Sequence, residues 1–318
     1  SSYLIVGSDL LVEQSDISIY KDIYDNLLQV SGGFFAQNRL EITEKLLLGI
    51  GLRFDFRSIN RGKQYSNKSF SDISPKINLT YKKDDFSTWS FALSKGFRSP
   101  SLSEMFLQYE SDYGLNTQGN PNLKPEQLYG LDVAYDRSNL KNMNLSLSTF
   151  YYRYKDMIDF VYGLPVLALN RSDISSCGIE ANYNYKINNN INLSAGYTYL
   201  RVNDINNTDP ILYRPKHKIV SSLKQKKGKV SHIISIKYQS KQDYQDFLSD
   251  DREYEGSEIK FPIEQLDALF LVNYNGSYEL KNSKVSFKIS NIFDTKYELI
   301  QDFPMPGRML GLSYEMSF

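Results

Sequence analysis

The chain has 318 residues, a formal net charge of zero and a single cysteine, Cys177. Balanced charge leaves no basic footprint for a nucleic-acid partner, one thiol permits no internal disulfide, and no run approaches the roughly 18 apolar residues of a transmembrane helix. A closed barrel stays open as a class, because it turns only alternate residues to lipid and reads as hydrophilic on average.

Taken in order, the periodicity predicts about fourteen strands of alternating character. The first covers 4–12 and is followed by a longer polar segment, 15–26. Strand 30–40 passes through a tight connection at 41–44 into 45–56, where Leu46, Leu48, Ile50, Leu52, Phe54 and Phe56 share one face. After a polar segment at 58–72, strands 74–81 and 86–96 flank the turn 82–85. Trp89, Phe91 and Leu93 there alternate with Ser90, Ala92 and Ser94. The longest connection, 97–126, comes next.

Beyond it, 127–136 and 142–154 form a hairpin, a loop covers 155–173, and a second hairpin pairs 174–186 with 191–202. A loop at 203–214 precedes the hairpin 216–224 and 229–238, and a long acidic loop, 239–262, leads to strands 264–278 and 284–292. The last strand, 308–318, carries Leu310, Leu312, Tyr314, Met316 and Phe318 on one face and mostly small or polar residues on the other. Side chains alternate across a strand with a period of two, so each such segment has one apolar wall.

Short turns alternating with longer connections are the habit of an outer-membrane barrel, with the short turns on the periplasmic side together with the C-terminus. A soluble sandwich gives no reason for that alternation. The predicted class is therefore an all-β, antiparallel up-and-down transmembrane barrel. Aromatic residues fit it: 25 Tyr and 18 Phe against one Trp suit rings at a lipid boundary with hydroxyls in water. With no initiator Met or signal peptide before the first strand, the chain reads as a piece of something longer.

One stretch is more specific. Gly96-Phe97-Arg98-Ser99-Pro100-Ser101-Leu102-Ser103-Glu104-Met105-Phe106 is followed by Gly119-Asn120-Pro121-Asn122-Leu123-Lys124-Pro125-Glu126. In the same order along the chain come Phe35-Ala36-Gln37, Gly51-Leu52-Arg53-Phe54-Asp55 and Ser74-Pro75-Lys76 before it. Tyr213-Arg214-Pro215-Lys216-His217, Asn291-Ile292-Phe293-Asp294-Thr295-Lys296-Tyr297, Pro306-Gly307-Arg308 and the terminal Phe318 come after. Together these resemble the TonB-dependent outer-membrane receptors.

The resemblance implies a monomeric barrel of about twenty-two strands, occluded by an N-terminal plug, that imports a scarce metal-bearing nutrient with energy drawn from the TonB system. On that reading the whole chain, 1–318, is the C-terminal portion of the barrel. The plug, the TonB-contacting segment and the first strands would lie outside it. The cargo implied is a ferric siderophore or cobalamin, with no resident cofactor or metal.

The residues narrow this further. Three prolines, Pro100, Pro121 and Pro125, predict a structured loop over 97–126, with Arg98 available to pair with Glu104 or Glu126 and shape the rim. Loop aromatics and polar groups, Tyr109, Tyr113, Asn116, Tyr162, Tyr244 and Phe303, are the candidate cargo contacts, since large rings with polar ends hold a bulky chelate or corrin. No histidine lies between Pro100 and Asn120, where haem receptors of the family commonly carry one, so haem ranks lower; His217 and His232 read as structural. Asp243, Asp246, Asp250, Asp251, Glu253, Glu255 and Glu258 match no calcium-loop spacing and read as solvated. Unless Lys241 or Arg252 offsets them, they favour a neutral or cationic cargo over an anionic chelate, which cobalamin satisfies. No catalytic constellation is visible, so the chain is not read as an enzyme. The rival readings are a passive porin, a haem receptor, an outer-membrane hydrolase and a soluble β-protein.

Overall fold

The computed structural model describes residues 2–316 apart from 20–21, 61–66, 110–115, 141, 162–165, 207–209, 247–248, 252 and 256–257. Strand candidate Phe318 therefore lies outside the described residues. Fourteen strands form one continuous antiparallel sheet in sequence order among those residues. They are β1 (Ser2–Ile19), β2 (Asp22–Thr43), β3 (Leu46–Asn60), β4 (Lys68–Asp84), β5 (Ser87–Arg98), β6 (Glu126–Leu140) and β7 (Met143–Val161). The rest are β8 (Val166–Asn188), β9 (Ile191–Asp204), β10 (His217–Lys227), β11 (Val230–Gln239), β12 (Leu269–Glu279), β13 (Ser283–Ser290) and β14 (Met309–Met316).

The register carries the predicted alternation across the wall. Ile50, Ile77, Leu93, Leu131 and Tyr151 stand directly opposite one another from β3 to β7. One residue along each strand, Gly51, Lys76, Ser94, Gly130 and Tyr152 form the neighbouring row on the other face. The first face is apolar and open to the surroundings, with Leu52, Phe54, Trp89, Leu93, Phe270 and Leu312 all exposed. A soluble monomer shows apolar patches of roughly a few hundred Å²; a wall that is apolar from β3 to β14 needs lipid against it. The second face holds the small and charged residues and is the inner one.

Three segments differ from the sequence reading. The polar stretches at 15–26, 58–72 and 155–173 are largely strand, continuing β1 and β2, β3 and β4, and β7 and β8. With 19 and 23 residues, β7 and β8 are far longer than the roughly 9–11 residues a tilted strand needs to cross a bilayer. Their outer halves lie beyond the lipid and pack inward against the 97–126 connection through Ile158 and Ala168, so the period-two hydrophobic signal fades while the backbone ladder continues. The acidic loop also contains short hairpins, Gln242–Gln245 against Ile263–Leu266 and Glu253–Glu255 against Glu258–Lys260, outside the main sheet. The strand expected at 264–278 accordingly joins the wall only from Leu269.

Candidate functional site

The connection between β5 and β6 is the most heavily built part of the molecule. After Pro100, fully buried, the chain makes a single helical turn, α1 (Leu102–Phe106), opened by a capping box. The Ser101 hydroxyl accepts from the Glu104 backbone N–H at 3.2 Å, and the Glu104 carboxylate accepts from the Ser101 backbone N–H at 2.7 Å. Five residues are too few for a helix to persist unaided. Packing holds it: Met105 and Phe106 enter a buried cluster with Leu27 of β2, Ile59 of β3, Leu123, and Ile158 and Ala168 of β7 and β8. Ile59 lies on the same face as Arg53 and Arg57, so α1 folds back onto the inner side of the wall.

Arginines fix both ends of this segment. Arg98 donates from Nε and Nη2 to the two oxygens of Glu126 at 2.6 and 2.7 Å, and from Nη1 to Glu104 at 2.9 and 3.0 Å. The planar guanidinium thus bridges both carboxylates with its fork, a geometry lysine cannot reproduce. Glu126 also accepts the backbone N–H of Ile158 at 2.5 Å. Burial pushes the Glu104 carboxyl up, but the hydrogen bonds from Arg98 and Ser101 outweigh it and hold it below the usual glutamate range. Arg57 reaches across from β3 to the Ser99 hydroxyl at 2.9 Å and the Pro100 carbonyl at 2.7 Å, and also bonds Gln29. Gln29 in turn donates to Glu13 at 2.6 Å.

The returning limb is laced to α1. Asn120 N–H donates to the Glu104 carbonyl at 2.9 Å and Gly119 N–H to the Leu107 carbonyl at 2.5 Å. A Cβ on Gly119 would stand 2.7–2.8 Å from backbone atoms of Met105, Phe106 and Leu107, so only glycine allows this approach. Asn170 of β8 clamps the limb from the far side, accepting from Lys124 N–H at 2.8 Å and donating to the Lys124 carbonyl at 2.9 Å. Below, on the inner wall, Arg53 bridges Asp9 and Asp55 at 2.9 and 2.7 Å.

The other long connections are ordered by single polar anchors. Tyr244 is buried, and its hydroxyl donates to Glu264 at 2.7 Å. That hydrogen bond, with burial, pushes the phenol up to about 12. Gln242 donates to the Leu299 carbonyl at 3.0 Å, tying the acidic loop to the last connection. There Asn291, buried at φ 52, bonds Thr295 through both ends of its amide, and Asp294 accepts from Arg308 N–H at 2.6 Å.

The predicted contact residues fall in different places. Tyr109 is exposed, in a two-residue strand paired with Thr117–Gln118 at the end of the α1 segment. Asn116 beside it accepts the Val166 N–H through its carbonyl at 2.6 Å. Phe303 is 67% exposed in the last connection, whereas Tyr244 lies behind its own hairpin. Tyr113, Tyr162 and Arg252 lie outside the described residues. The expected pairing of Arg98 is present with Glu104 and Glu126 together, and Phe97, Pro100, Asn120 and Pro121 all belong to the same folded segment. Both histidines face outward: His217 meets the Tyr197 hydroxyl at 2.9 Å and His232 the Tyr274 hydroxyl at 2.7 Å. Among the described residues no three His, Cys, Asp or Glu side chains converge as a metal site. The parts that sequence reading missed are Arg57, Gln29 and the Leu27–Ile59 platform; a buried-length apolar residue next to an arginine near a strand end was the only signal they carried.

A family model described as TonB dependent receptor-like, beta-barrel, matches residues 8–292. Among curated proteins, the iron-regulated outer membrane virulence protein of Vibrio cholerae serotype O1 is 25% identical over 65% of this chain and 33% of its own length. Hemoglobin-binding protein A of Haemophilus influenzae is 25% identical over 81% of this chain and 30% of its own. The chain thus spans about a third of the length of the curated relatives it matches. Among solved structures, the copper transporter OprC superposes with a TM-score of 0.79 at 17% identity, covering 100% of this chain and 54% of that one. The siderophore receptor PirA from Acinetobacter baumannii gives 0.79 at 18%, covering 100% and 52%. At such identities the structural likeness speaks for the fold.

Proposed function

This chain belongs to the TonB-dependent receptor-like β-barrel family, an outer-membrane barrel family, and on that footing we propose that it forms the cargo-binding wall of an energised uptake receptor. The cargo is a metal-bearing nutrient, a ferric siderophore or cobalamin, taken at the long connections and released inward by TonB-driven movement of a plug. The short turns face the periplasm and the extended hairpins the exterior. One observation carries the reading: the 99–125 segment is pinned on the inner face of the wall by Arg98 and Arg57 and leaves Tyr109 exposed at its end. A segment held that firmly presents a ring to the lumen without ordering cost on binding. The names of the curated relatives, which concern iron, haemoglobin and siderophores, favour iron within this pair.

The test is uptake of radiolabelled ferric siderophores and cobalamin by cells making the intact protein, with and without TonB, beside binding of each in detergent. Accumulation that needs TonB, with saturable binding of one cargo class, is expected. Uptake indifferent to TonB, or free ion conductance with no chelate or corrin bound, would overturn the proposal in favour of a passive pore.

A further inference from the structure

The inner face of the wall is polarised. On β10 to β13 its rows run Val220, Lys237, Leu271; then Ser222, Ser235, Asn273; then Lys224, Ile233, Asn275, Lys288. On β10 to β14 this face carries six lysines, at 218, 224, 226, 237, 284 and 288, against two carboxylates, Glu279 and Glu315. The same face of β6 and β8 is acidic instead, with Glu126, Asp132, Asp136 and Glu180. Both carboxylates of the basic half lie at the short-turn end. Lys226 Nζ donates to the two Glu279 oxygens at 2.9 and 3.0 Å, and Lys284 stands 3.9 Å from Glu315.

The other four lysines make no ion pair among the described residues. Directly across the ladder, Lys218 meets Thr198 and Gln239, and Lys237 meets Val220 and Leu271. Lys224 meets Asn192 and Ile233, and Lys288 meets Asn275 and Gly311. The diagonal neighbours, two residues along each partner strand, are not acids either, so nothing within cross-strand reach neutralises these charges. Lys224 feels Glu279, but both oxygens of that carboxylate already serve Lys226. From the Lys218 level to the Lys226 level the stripe covers about 25 Å along the strand, close to the depth of a bilayer core.

Within the stripe lies a hollow of about 300 Å³, lined by Ile233, Ser235, Asn273, Asn275, Lys288 and Ser290. Asn273 spends its side-chain oxygen on the Asn291 N–H at 2.9 Å. The side chains of Ser235, Asn275, Lys288 and Ser290 have no hydrogen-bond partner among the described residues. They offer an ammonium, an amide N–H pair and two hydroxyls, all able to donate to an anionic oxygen. Lys237 stands two residues from Ser235 on the same face, toward the long connections. A low-dielectric wall focuses the field of such charges into the space it encloses.

We propose that this stripe is a transit site for a polyanionic, oxygen-ligated metal chelate, with one anionic arm in the hollow on Lys288, Asn275 and Ser235. Lys218 and Lys237 draw the chelate from the side of the long connections, and Lys224 shares its charge at the level of the hollow. The inference rests on the uptake function proposed above and narrows the cargo to an anion. Lysine suits transit, because a hydrated point charge on a flexible stem binds without the fixed geometry of a guanidinium fork. Several weak sites in series also let a solute leave as well as enter. The acidic hairpins of the 239–262 connection lie outside the main sheet and leave the sign of this face unchanged.

Quenching of intrinsic fluorescence of the intact protein in detergent tests it. The probes are the trianionic ferric complex of a tripodal tris-catecholate and the neutral ferric complex of a tris-hydroxamate on the same frame. We expect saturable binding of the trianion and about tenfold weaker binding of the neutral complex. The double variant K237Q/K288Q loses about tenfold for the trianion alone, and K237R/K288R recovers to within about threefold of wild type. No saturable binding of the trianion, equal binding of both complexes, or an unchanged K237Q/K288Q would each overturn the site. An equal loss in K45Q/K83Q, at exposed lysines beside the short turns, would reduce the effect to net charge and overturn it too. So would loss of both complexes with a lowered unfolding temperature in K237Q/K288Q, which would mean that the lysines hold another part of the receptor. None of these readouts uses TonB or uptake, so a failed uptake assay and a failed site are told apart.

Discussion

Replacing Arg98 with alanine isolates the clamp on the α1 segment. Arg98 makes two hydrogen bonds to Glu126 and two to Glu104, all between 2.6 and 3.0 Å. A hydrogen bond to a charged group contributes about 1.5–3 kcal/mol, and stranding a buried carboxylate costs more. The acceptors are mostly buried, with side-chain exposures of 15% and 14%, but Arg98 itself is 45% exposed, so solvent screening reduces the sum. The net loss expected for opening the segment is about 2–3 kcal/mol, which corresponds to roughly 30- to 150-fold faster amide exchange. Hydrogen exchange of the intact protein in detergent reads this at Leu107 and Asn120, whose N–H groups donate to Ser103 and Glu104 carbonyls. Amides of β6 serve as the internal control. R98K should fall between wild type and R98A, since an ammonium cannot serve two carboxylates with one rigid fork. Unchanged exchange at both amides in R98A would refute the claim that the clamp orders the segment and leave the buried cluster to explain it alone.

Three further outcomes follow from the same structure. Gly119→Ala forces a Cβ against α1 backbone, so it should loosen the segment by about 1–3 kcal/mol; limited proteolysis within 99–125 accelerates while the folded barrel keeps its electrophoretic mobility. Because the Glu104 carboxyl is lowered in the folded state from its ordinary 4.5, its contribution is fully present above that value and is lost as pH falls through the folded value. Exchange protection at Leu107 is therefore flat above pH 4.5 and drops only as the pH falls below it, and E104Q abolishes the drop. On the wall, Phe91→Arg, facing lipid, should destabilise the barrel by about 2–4 kcal/mol, whereas Ala92→Arg, facing inward opposite Asp132, costs less than about 1 kcal/mol; urea unfolding in liposomes separates them.

The wall was legible because a bilayer enforces the signal. Leu46 to Phe56, with Leu47 the one exception, and Trp89 to Leu93 alternate where one face meets lipid, and those segments appear as predicted. Above the membrane the constraint ends, and β7 from Lys155 to Val161 looks like a loop in sequence although its ladder to β8 continues. The Arg98 pairing could be anticipated because charged residues bracket a proline-rich stretch. The Leu27–Ile59–Met105–Leu123 cluster could not, since it gathers one or two residues from each of several distant segments and no segment carries a period. Tyr244 illustrates the same gap: its ring reads as a loop contact, but burial and Glu264 were set by a hairpin that only the folded chain reveals.

Arg98 and Glu126 are partners on the final rung joining β5 to β6, with α carbons held about 5 Å apart whatever lies between. The excursion from 99 to 125 therefore starts and finishes at a closed gate. Lengthening its tip adds only the slow logarithmic entropy of a free loop, about 0.6 kcal/mol per doubling, and that term falls outside the gate. Selection can thus rewrite the tip while the strands beneath keep their register. A wall arranged in this way tolerates change in that tip far more readily than a change in its own register.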